Sequence, residues 1–267
     1  MTETKSIELN SILKDLKSFI IAFSGGVDSS FLAYRAKMLG NLKIMAVTVR
    51  TPYIPSREIN EAVEFADAYG INHKIIDIEF PEIIRHNPLE RCYLCKKTLF
   101  TRIAEYGRKN DYKHIADGTN ADDKGEFRPG LKALKELDIR SPLAEAGLTK
   151  QDIRLLSKQA GLMLWDKPAM ACLLTRIPYE TEINDVTLRM VEKAEDILFE
   201  RGYPGTRVRA HGDTARIECL PGYLERIIND PGRELIVSDL KKIGFRYISL
   251  DLEGYRTGSM NPEKKET

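Results

Sequence analysis

The sequence predicts an α/β fold, in which a parallel sheet has helices on both faces, followed by a smaller α+β domain. Two observations lead to this fold class. Over the first two-thirds of the 267 residues, short β-rich apolar runs alternate with helix-like patterns, which is typical of a parallel sheet covered on both faces. Further along the chain, this alternation gives way to a long helical pattern and two adjacent strand-like runs.

The elements of the first region are read from these patterns in chain order. The predicted strands are 18–23, 43–49, 73–77 and 114–117, and the helices between them are 29–39, 56–69 and 96–109. Ligands of such sheets bind beyond the carboxyl ends of the strands. Two polar stretches lie at such ends, FSGGVDSS at 23–30 and DGTNADD at 117–123.

The second region follows a helical pattern with Thr149 as its predicted N-cap and Gly161 as its C-terminal stop. The next stretch, WDKPAMACLLTRIPYE, is neither periodic nor loop-like in composition. After it come a long helix at 184–201, two strands around a His-Gly-Asp turn in TRVRAHGDTARIE, more helix and the strand RYISL. We therefore predict two domains, 1–165 and 166–267.

Composition and charge argue against several classes of protein. With 41 basic and 40 acidic residues, the chain has a formal net charge of +1, so no overall field attracts nucleic acid. No apolar run approaches the roughly 18 residues of a membrane span, and no secretory signal is visible. We expect a cytoplasmic protein with no membrane partner, in which four cysteines are metal ligands or reactive thiols more often than disulfides. The charged tail 261–267 is expected to fray.

The FSGGVDSS stretch, called the glycine loop below (residues 23–30), predicts a phosphate cradle. Glycines at a strand-to-helix junction let backbone N–H groups approach a ligand, and the start of a helix favours negative charge. The loop lacks the lysine of a Walker A sequence and the spacing of a dinucleotide-binding loop. Asp28 beside phosphate needs a bridging divalent cation, so we infer Mg²⁺. The alternative is a tight turn in which Asp28 or Ser29 only caps the helix.

The cysteines comprise one pair and two single residues. Cys92 and Cys95 have the C-x-x-C spacing of a metal site, a disulfide or the edge of an iron–sulfur cluster, and a buried inert pair is the alternative. Three thiolates on a four-iron cluster would leave one iron without a protein ligand. Cys172 lies four residues before Arg176, and nearby positive charge lowers the pKa of a thiol. We interpret Cys219 as ordinary core packing.

The stretch RVR predicts a phosphate clamp. Arg207 and Arg209 occupy alternate positions of a predicted strand, which places both guanidinium groups on one face. A solvated, charged strand face is the alternative, and taken alone it is the commoner case.

Two resemblances add to this interpretation. SGGVDSS after an apolar strand resembles the PP-loop of the adenine-nucleotide α-hydrolases, a group that cleaves ATP between the α and β phosphates and transfers AMP to a substrate oxygen. The whole chain from about Leu16 to Asn261 resembles the LarE family, the ATP-dependent sulfur transferases of lactate racemase cofactor synthesis. The stretches that carry this second resemblance are RCYLCKKTLF, DGTNADD, SPLAEAGLTK, WDKPAMACLLTRIPY, RVRAHGDTARIE and LDLEGYRTGSMN.

The LarE resemblance implies a reaction and its cofactors. A carboxylate of pyridinium-3,5-biscarboxylic acid mononucleotide is adenylated and converted to a thiocarboxylate, and the product later receives nickel. ATP, Mg²⁺ and a [4Fe–4S] cluster are the implied cofactors, the cluster being held by Cys92, Cys95 and Cys172 and taking up sulfide. One subgroup of the family instead sacrifices the cysteine at the position of Cys172, and the resemblance of Cys92, Cys95 and Cys172 places this chain with the second, cluster-holding subgroup. The implied partners are this small nucleotide, sulfide or another sulfur donor, and further copies of the chain in a homo-oligomer.

The resemblance also implies the site residues, although Glu195 and Glu218 could equally be surface charges. Leu174 and Thr175 stand where the family usually has a small residue and Ser, and Thr175 keeps the hydroxyl. The implied residues are Cys172, Cys92, Cys95, Glu195 and Glu218 for catalysis; Phe23, Ser24, Gly25, Gly26, Asp28, Ser29, Ser30, Val47, Gly118 and Asn120 for ATP, with Asp28 on Mg²⁺; and Arg176, Arg207 and Arg209 for the substrate phosphate.

Two other functions stay open from the sequence. A tRNA-thiolating enzyme would use the same PP-loop and cluster chemistry, but the net charge near zero and the lack of paired zinc-finger motifs or an obvious RNA module argue against it. A non-enzymatic nucleotide-binding or iron–sulfur-storage module would not need the RVR pair or a second domain. The sequence therefore favours a sulfur transferase acting on a small nucleotide.

Overall fold

The computed structural model describes residues 2–125, 129–168 and 171–256, and these form two compact units. The first unit consists of the described residues within Met1–Ile84 and Glu90–Met170, and the second of those within Arg85–Leu89 and Ala171–Thr267. The predicted division into 1–165 and 166–267, each with its own function, stays a prediction. Residues 169–170 and 257–267 of the second predicted domain, with the charged tail, lie outside the described residues.

The first unit contains a parallel sheet flanked by helices. Its elements are α1 (Thr2–Leu16), β1 (Ser18–Ala22), α2 (Val27–Met38), β2 (Lys43–Arg50), α3 (Ser56–Ala68), β3 (His73–Asp77), α4 (Arg91–Lys109), β4 (His114–Ala116), α5 (Gly130–Glu136), α6 (Pro142–Glu145) and α7 (Lys150–Gln159). Over the described residues the strand order is β3-β2-β1-β4, with every pairing parallel. The predicted α/β class with a parallel sheet is confirmed.

Alternation of apolar side chains along β1 explains why helices cover both faces of this sheet. Phe19 and Ile21 join one apolar cluster, which includes side chains from α1, α2 and α3. Ile20, between them, joins another cluster, which includes side chains from α4 and α5. Because successive residues of a strand point to opposite faces, the sheet has one apolar layer on each side.

The start of α4 differs from the prediction and bears on the cysteines. The helix begins at Arg91, five residues before the predicted start at Lys96. Cys92 and Cys95 therefore lie near the start of the helix, three residues apart on one side of it.

Helix α1 has no counterpart among the predicted elements, although its leucines recur at helical spacing. The side chain of Lys5 donates to Asp152 over 2.6 Å, which ties α1 to α7. Asp152 also completes a capping box with Thr149, so the predicted N-cap is confirmed. The buried residues of α1 are Leu9, Leu13 and Leu16.

The second unit has a small mixed sheet with helices around it. Its elements are α8 (Asp185–Glu200), β5 (Arg207–His211), β6 (Thr214–Glu218), α9 (Pro221–Ile228), α10 (Arg233–Lys242) and β7 (Tyr247–Leu250). In the described part of the chain, β6 pairs antiparallel with β5 and parallel with β7. The predicted smaller α+β region and its hairpin are confirmed. None of the helices that the structure describes combines the length and the apolar character needed to cross a membrane.

Candidate functional site

The glycine loop connects the carboxyl end of β1 to the start of α2. Gly26 is the N-cap of α2, and no side chain of the described residues caps it, so Asp28 and Ser29 lie within the first turn. The Ser29 hydroxyl accepts the N–H of Ser24 over 3.2 Å and donates to the carbonyl of Gly26 over 3.2 Å. The capped-turn alternative is therefore wrong, and the loop is fastened by Ser29 while the N-terminus of α2 lacks a side-chain cap.

Close packing explains two glycines of this site. Gly25 has φ +69°, and a Cβ there would lie 2.9 Å from the Cβ of Ala62 on α3. A Cβ on Gly118, in the loop after β4, would lie 2.9 Å from the backbone nitrogen of Ser29. Side chains do not approach other atoms so closely. The two polar stretches that the sequence placed at strand ends therefore meet, backbone against backbone.

Asp28 lies near polar side chains of the second stretch and of α7. Lys150 at the start of α7 donates to Asp28 Oδ2 over 2.7 Å, and Asn120 Nδ2 lies 3.5 Å from the same oxygen. Asp28 Oδ1 is buried and accepts no hydrogen bond from any described residue. Burial raises the pKa of Asp28, an effect that Lys150 opposes and Asp123 reinforces. A buried carboxylate oxygen without a donor fits a cation such as Mg²⁺, which prefers oxygen ligands.

Sequence reasoning missed Lys150 and did not connect Lys167 with the glycine loop. Lys167 Nζ donates to the carbonyl of Gly25 over 2.9 Å and pairs with Glu61 of α3 at 2.5 Å. The only signal for Lys150 was its position directly after the predicted N-cap Thr149. Both lysines reach the loop from far along the chain, so no local pattern identifies them.

Some predicted ATP-binding residues have buried side chains. Phe23 and Val47 are apolar core residues, and the N–H of Phe23 donates to the carbonyl of Val47 over 2.8 Å. Ser30 is buried too. Their contact with ATP stays a prediction.

The C-x-x-C pair lies in the first unit. Cys92 is exposed, and the half-buried Cys95 has its sulfur 3.2 Å from the hydroxyl of Tyr53. The alternative of a buried, inert pair is therefore wrong. Each of the four cysteines, all among the described residues, is a thiol and not part of a disulfide. Cys219 is buried, which raises the pKa of its thiol and agrees with its interpretation as core packing.

Cys172 lies in the second unit, at the N-cap of the 3₁₀ turn Leu173–Arg176. Its carbonyl accepts hydrogen bonds from the Thr175 hydroxyl at 2.9 Å and from Arg176 at 3.2 Å. The hydroxyl that Thr175 keeps is thus part of this turn. Among the residues that the structure describes, no group of three or more His, Cys, Asp or Glu side chains is arranged to hold a metal ion.

Two ion pairs lie buried beside this turn. Arg176 donates to both carboxylate oxygens of Glu195, at 2.8 and 2.9 Å. Arg209 donates to Glu218 over 2.7 Å and to the carbonyl of Thr175 over 2.7 Å. Glu195 and Glu218 are 6% and 0% exposed, so the alternative of surface charges is wrong for both. The sequence predicted that the positive charge of Arg176 acts on the Cys172 thiol. In the structure, this charge is paired with Glu195.

We call Arg176, Arg207 and Arg209, with Glu195 and Glu218, the arginine cluster. Arg207 is 4% exposed, as is Arg209, so the solvated strand face is wrong. Burial lowers the pKa of Arg207, and the charge of Arg176 lowers it further. A bound anion would oppose this lowering of the pKa, because a negative charge favours the charged form of the guanidinium. The cluster therefore fits an anionic group of a ligand.

Comparison with known proteins covers both units. The NAD synthase family model matches residues 5–104. An uncharacterised protein of Synechocystis sp. is 36% identical over 264 residues, which cover 98% of each chain. The pyridinium-3,5-bisthiocarboxylic acid mononucleotide synthase of Lactiplantibacillus plantarum is 35% identical over 263 residues, covering 97% of this chain and 94% of that one. The tRNA-specific 2-thiouridylase MnmA of Rickettsia africae is 26% identical over 211 residues, covering 63% of this chain and 57% of that enzyme.

Proposed function

Because the chain belongs to the LarE-like family of the Lactiplantibacillus plantarum pyridinium-3,5-bisthiocarboxylic acid mononucleotide synthase, we propose that it is an ATP-dependent sulfur transferase. Its substrate is pyridinium-3,5-biscarboxylic acid mononucleotide, of which it converts a carboxylate to a thiocarboxylate. The observation that carries the proposal is the 35% identity over 97% of the chain, because it covers the glycine loop and the arginine cluster together. The expected cytoplasmic location and homo-oligomeric state stay predictions.

The glycine loop supports binding of the ATP phosphates. The N-terminus of α2 presents backbone N–H groups to an anion. Gly118 packs so closely against the backbone of Ser29 that a side chain at position 118 has no room. Asp28 would hold Mg²⁺ through its buried Oδ1, and the metal ion would neutralise phosphate charge. Lys150 already pairs with Asp28, so its ammonium group is within reach of a phosphate that binds there.

The proposed reaction has two steps. A substrate carboxylate oxygen attacks the α-phosphorus of ATP, the bond from that phosphorus to the bridging oxygen breaks, and pyrophosphate leaves. Hydrogen sulfide anion then attacks the acyl carbon, the bond to the AMP oxygen breaks, and AMP and a proton leave with the thiocarboxylate. The residues of the first unit bind and orient the phosphates for the first step.

The arginine cluster supports binding of the substrate phosphate. Guanidinium groups bind phosphate through paired, charge-assisted hydrogen bonds. Glu195 and Glu218 orient Arg176 and Arg209 through the ion pairs described above. Burial and the charge of Arg176 lower the pKa of Arg207, and a phosphate bound beside Arg207 would favour its charged form.

We propose that Cys92, Cys95 and Cys172 hold a [4Fe–4S] cluster. Thiolates are the usual protein ligands of such clusters, and Cys92 and Cys95 lie on one helical turn with Cys92 exposed. The proposal requires Cys172 to come within bonding distance of the same cluster. When bound, a cluster with three protein ligands supplies an iron atom that is open to sulfide.

The experiment is an anaerobic assay of the reconstituted protein with ATP, Mg²⁺, sulfide and the mononucleotide. We expect AMP and pyrophosphate in equal amounts and a product in which sulfur replaces oxygen. Asp28→Ala should abolish Mg²⁺-dependent AMP formation while the melting temperature stays near that of the parent. ADP as the main product would contradict the PP-loop chemistry.

The similarity to MnmA supports a second candidate, the thiolation of tRNA. This similarity covers less of the chain and has lower identity. AMP formation that depends on tRNA and not on the mononucleotide would favour this candidate.

Sulfur delivery is tested by counting turnovers. Many turnovers with added sulfide and an unchanged protein mass would support the cluster. A single turnover with loss of one H₂S from Cys172 would show that the protein sacrifices this cysteine instead. Replacing Cys92, Cys95 or Cys172 by Ala should remove the absorption spectrum of the cluster. The control is Cys219→Ala, which should keep this spectrum because Cys219 is buried in the core.

A further inference from the structure

A buried amide fastens segment 85–89 to the turn that follows Cys172. Asn87 is 0% exposed and belongs to the second unit. Its Nδ2 donates to the carbonyls of Ile177 and Pro178, at 2.9 Å each, and lies 3.4 Å from the carbonyl of Leu174. The side chain therefore binds the two carbonyl groups that directly follow the Cys172 turn and lies close to one carbonyl within it.

The backbone of the same segment extends this contact. The N–H of Glu180 donates to the carbonyl of Asn87 over 3.2 Å, and the N–H of Ile183 donates to the carbonyl of Arg85 over 2.8 Å. Arg85 in turn donates to the carbonyl of Ile183 over 3.1 Å. Segment 85–89 thus runs along residues 174–183 with contacts at several points.

Asparagine is well suited to this position. Asn87 has φ +51°, a backbone conformation that Asn adopts more readily than most residues. Its amide carries two N–H donors and no charge. A buried carbonyl needs a donor, and the contacts of Asn87 supply donors where the turn has ended and no helix continues.

The position of Asn87 in the chain relates these contacts to the cysteines. Cys172 begins the turn, and Arg176, which pairs with Glu195, ends it. In the sequence, Asn87 precedes Cys92 by five residues, from 87 to 92. The stretch that leads to the C-x-x-C is therefore the one that holds the turn of the third cysteine.

We propose that Asn87 is a positioning residue for sulfur transfer, whose amide holds the turn Leu173–Arg176 so that the Cys172 thiol keeps its place. This inference rests on the proposed function, because it concerns the second step of that reaction. A loosened turn should leave the acyl adenylate to react with water, which gives AMP and the original carboxylate. The ratio of thiocarboxylate to AMP therefore reports on Asn87.

Two variants separate the amide from the backbone. Asn87→Gly tolerates the positive φ and removes the side chain. Asn87→Asp keeps the size of the side chain and removes the amide hydrogens. The matched control is Asn184→Ala in the same unit, where the side chain of Asn184 accepts the N–H of Thr187 over 2.8 Å and caps α8. The control loses a structural hydrogen bond that the contacts of Asn87 do not involve.

Each protein is assayed with saturating ATP, mononucleotide and sulfide, and both products are measured in one reaction. Metal-free samples are also treated with iodoacetamide, and the alkylation rate of each cysteine is followed by peptide mass. We expect the ratio of thiocarboxylate to AMP to fall at least about tenfold in both Asn87 variants. Alkylation of Cys172 should become several-fold faster, while buried Cys219 stays unreacted. Asn184→Ala should match the parent in both measurements, even where its melting temperature is lower.

Two results would overturn the inference. The first is a parent-like product ratio in both Asn87 variants. The second is a parallel loss of AMP and thiocarboxylate without faster alkylation of Cys172, which would indicate a general loss of folded protein. If the parent itself makes no thiocarboxylate, the proposed function fails, whereas the alkylation rates still decide whether Asn87 holds the turn.

Discussion

The glycine loop of the first unit and the arginine cluster of the second are both suited to anions, but they use different parts of the chain. The loop relies on backbone groups, and Gly25 and Gly118 are tightly packed so that no side chain obstructs them. The cluster relies on side chains, and its charges are buried with Glu195 and Glu218 as partners. A backbone site fails when its geometry changes, whereas a site of buried charges fails when one partner is removed.

The largest effect is expected from Glu195→Ala. This change removes both hydrogen bonds to Arg176 and the acceptor of the Val208 N–H. Because a buried cation then loses its partner, unfolding free energy should fall by about 3–5 kcal/mol. Unfolding by urea measures this change in the free energy of unfolding. The control, Glu105→Ala, removes an exposed pair with Arg102 and should cost at most about 1 kcal/mol. An equal loss of stability in Glu195→Ala and Glu105→Ala would contradict the expectation that burial makes the Glu195 pair the more important one.

Gly25→Ala tests the backbone side of the comparison. The positive φ should cost about 1–2 kcal/mol, and the contact with Ala62 adds to this because the new Cβ has no room. ATP affinity, measured by calorimetry, should fall at least about tenfold. Gly40→Ala is the control, since Gly40 has φ +77° with nothing within 4 Å of the added Cβ. It should lose stability but keep its ATP affinity.

Arg207→Ala tests the anion site without breaking one of the ion pairs described above. Binding of the mononucleotide should weaken by about 1.5–3 kcal/mol through lost charge-assisted contacts. The affinity for ATP should change little, and titration calorimetry with each ligand separates the two. The same pattern is expected for Arg209→Ala, with an additional loss of stability because Glu218 loses a partner. If both variants bound the mononucleotide like the parent, the cluster would be structural.

The smallest effect is expected from Lys167→Met, which removes the donor to the Gly25 carbonyl and the partner of Glu61. The free energy of ATP binding should weaken by less than the roughly 1.5–3 kcal/mol of one hydrogen bond to a charged group, because Lys167 contacts the loop and not the nucleotide. Lys158→Met is the control, because its ammonium lies over the ring of Trp165, 4.5 Å from the centroid, and not at the loop. A loss of similar size in the control would show that Lys167 has no special role in nucleotide binding.

The candidate site was predictable where its residues are close in the sequence. Ser24, Gly25, Gly26, Asp28 and Ser29 form one short stretch, so their spacing alone indicates a phosphate loop. The sequence left the burial of Glu195 and Glu218 open, because a single carboxylate on a helix or strand carries no local signal of its partner. Their pairing with arginines needs the register of β5 and β6 and the packing of α8.

The sequence by itself determined the α/β class, the strand-to-helix position of the glycine loop and the hairpin with Arg207 and Arg209. These features follow from hydrophobic periodicity and from local backbone preferences, which act over a few residues.

Only the tertiary structure decided which distant residues support the site. Lys167 meets Gly25 across 142 positions of the chain, and Lys150 meets Asp28 across 122. Asn87 meets Ile177 across 90 positions. Such contacts arise when the packing of whole elements brings side chains together, and no local pattern of residue types specifies the partner.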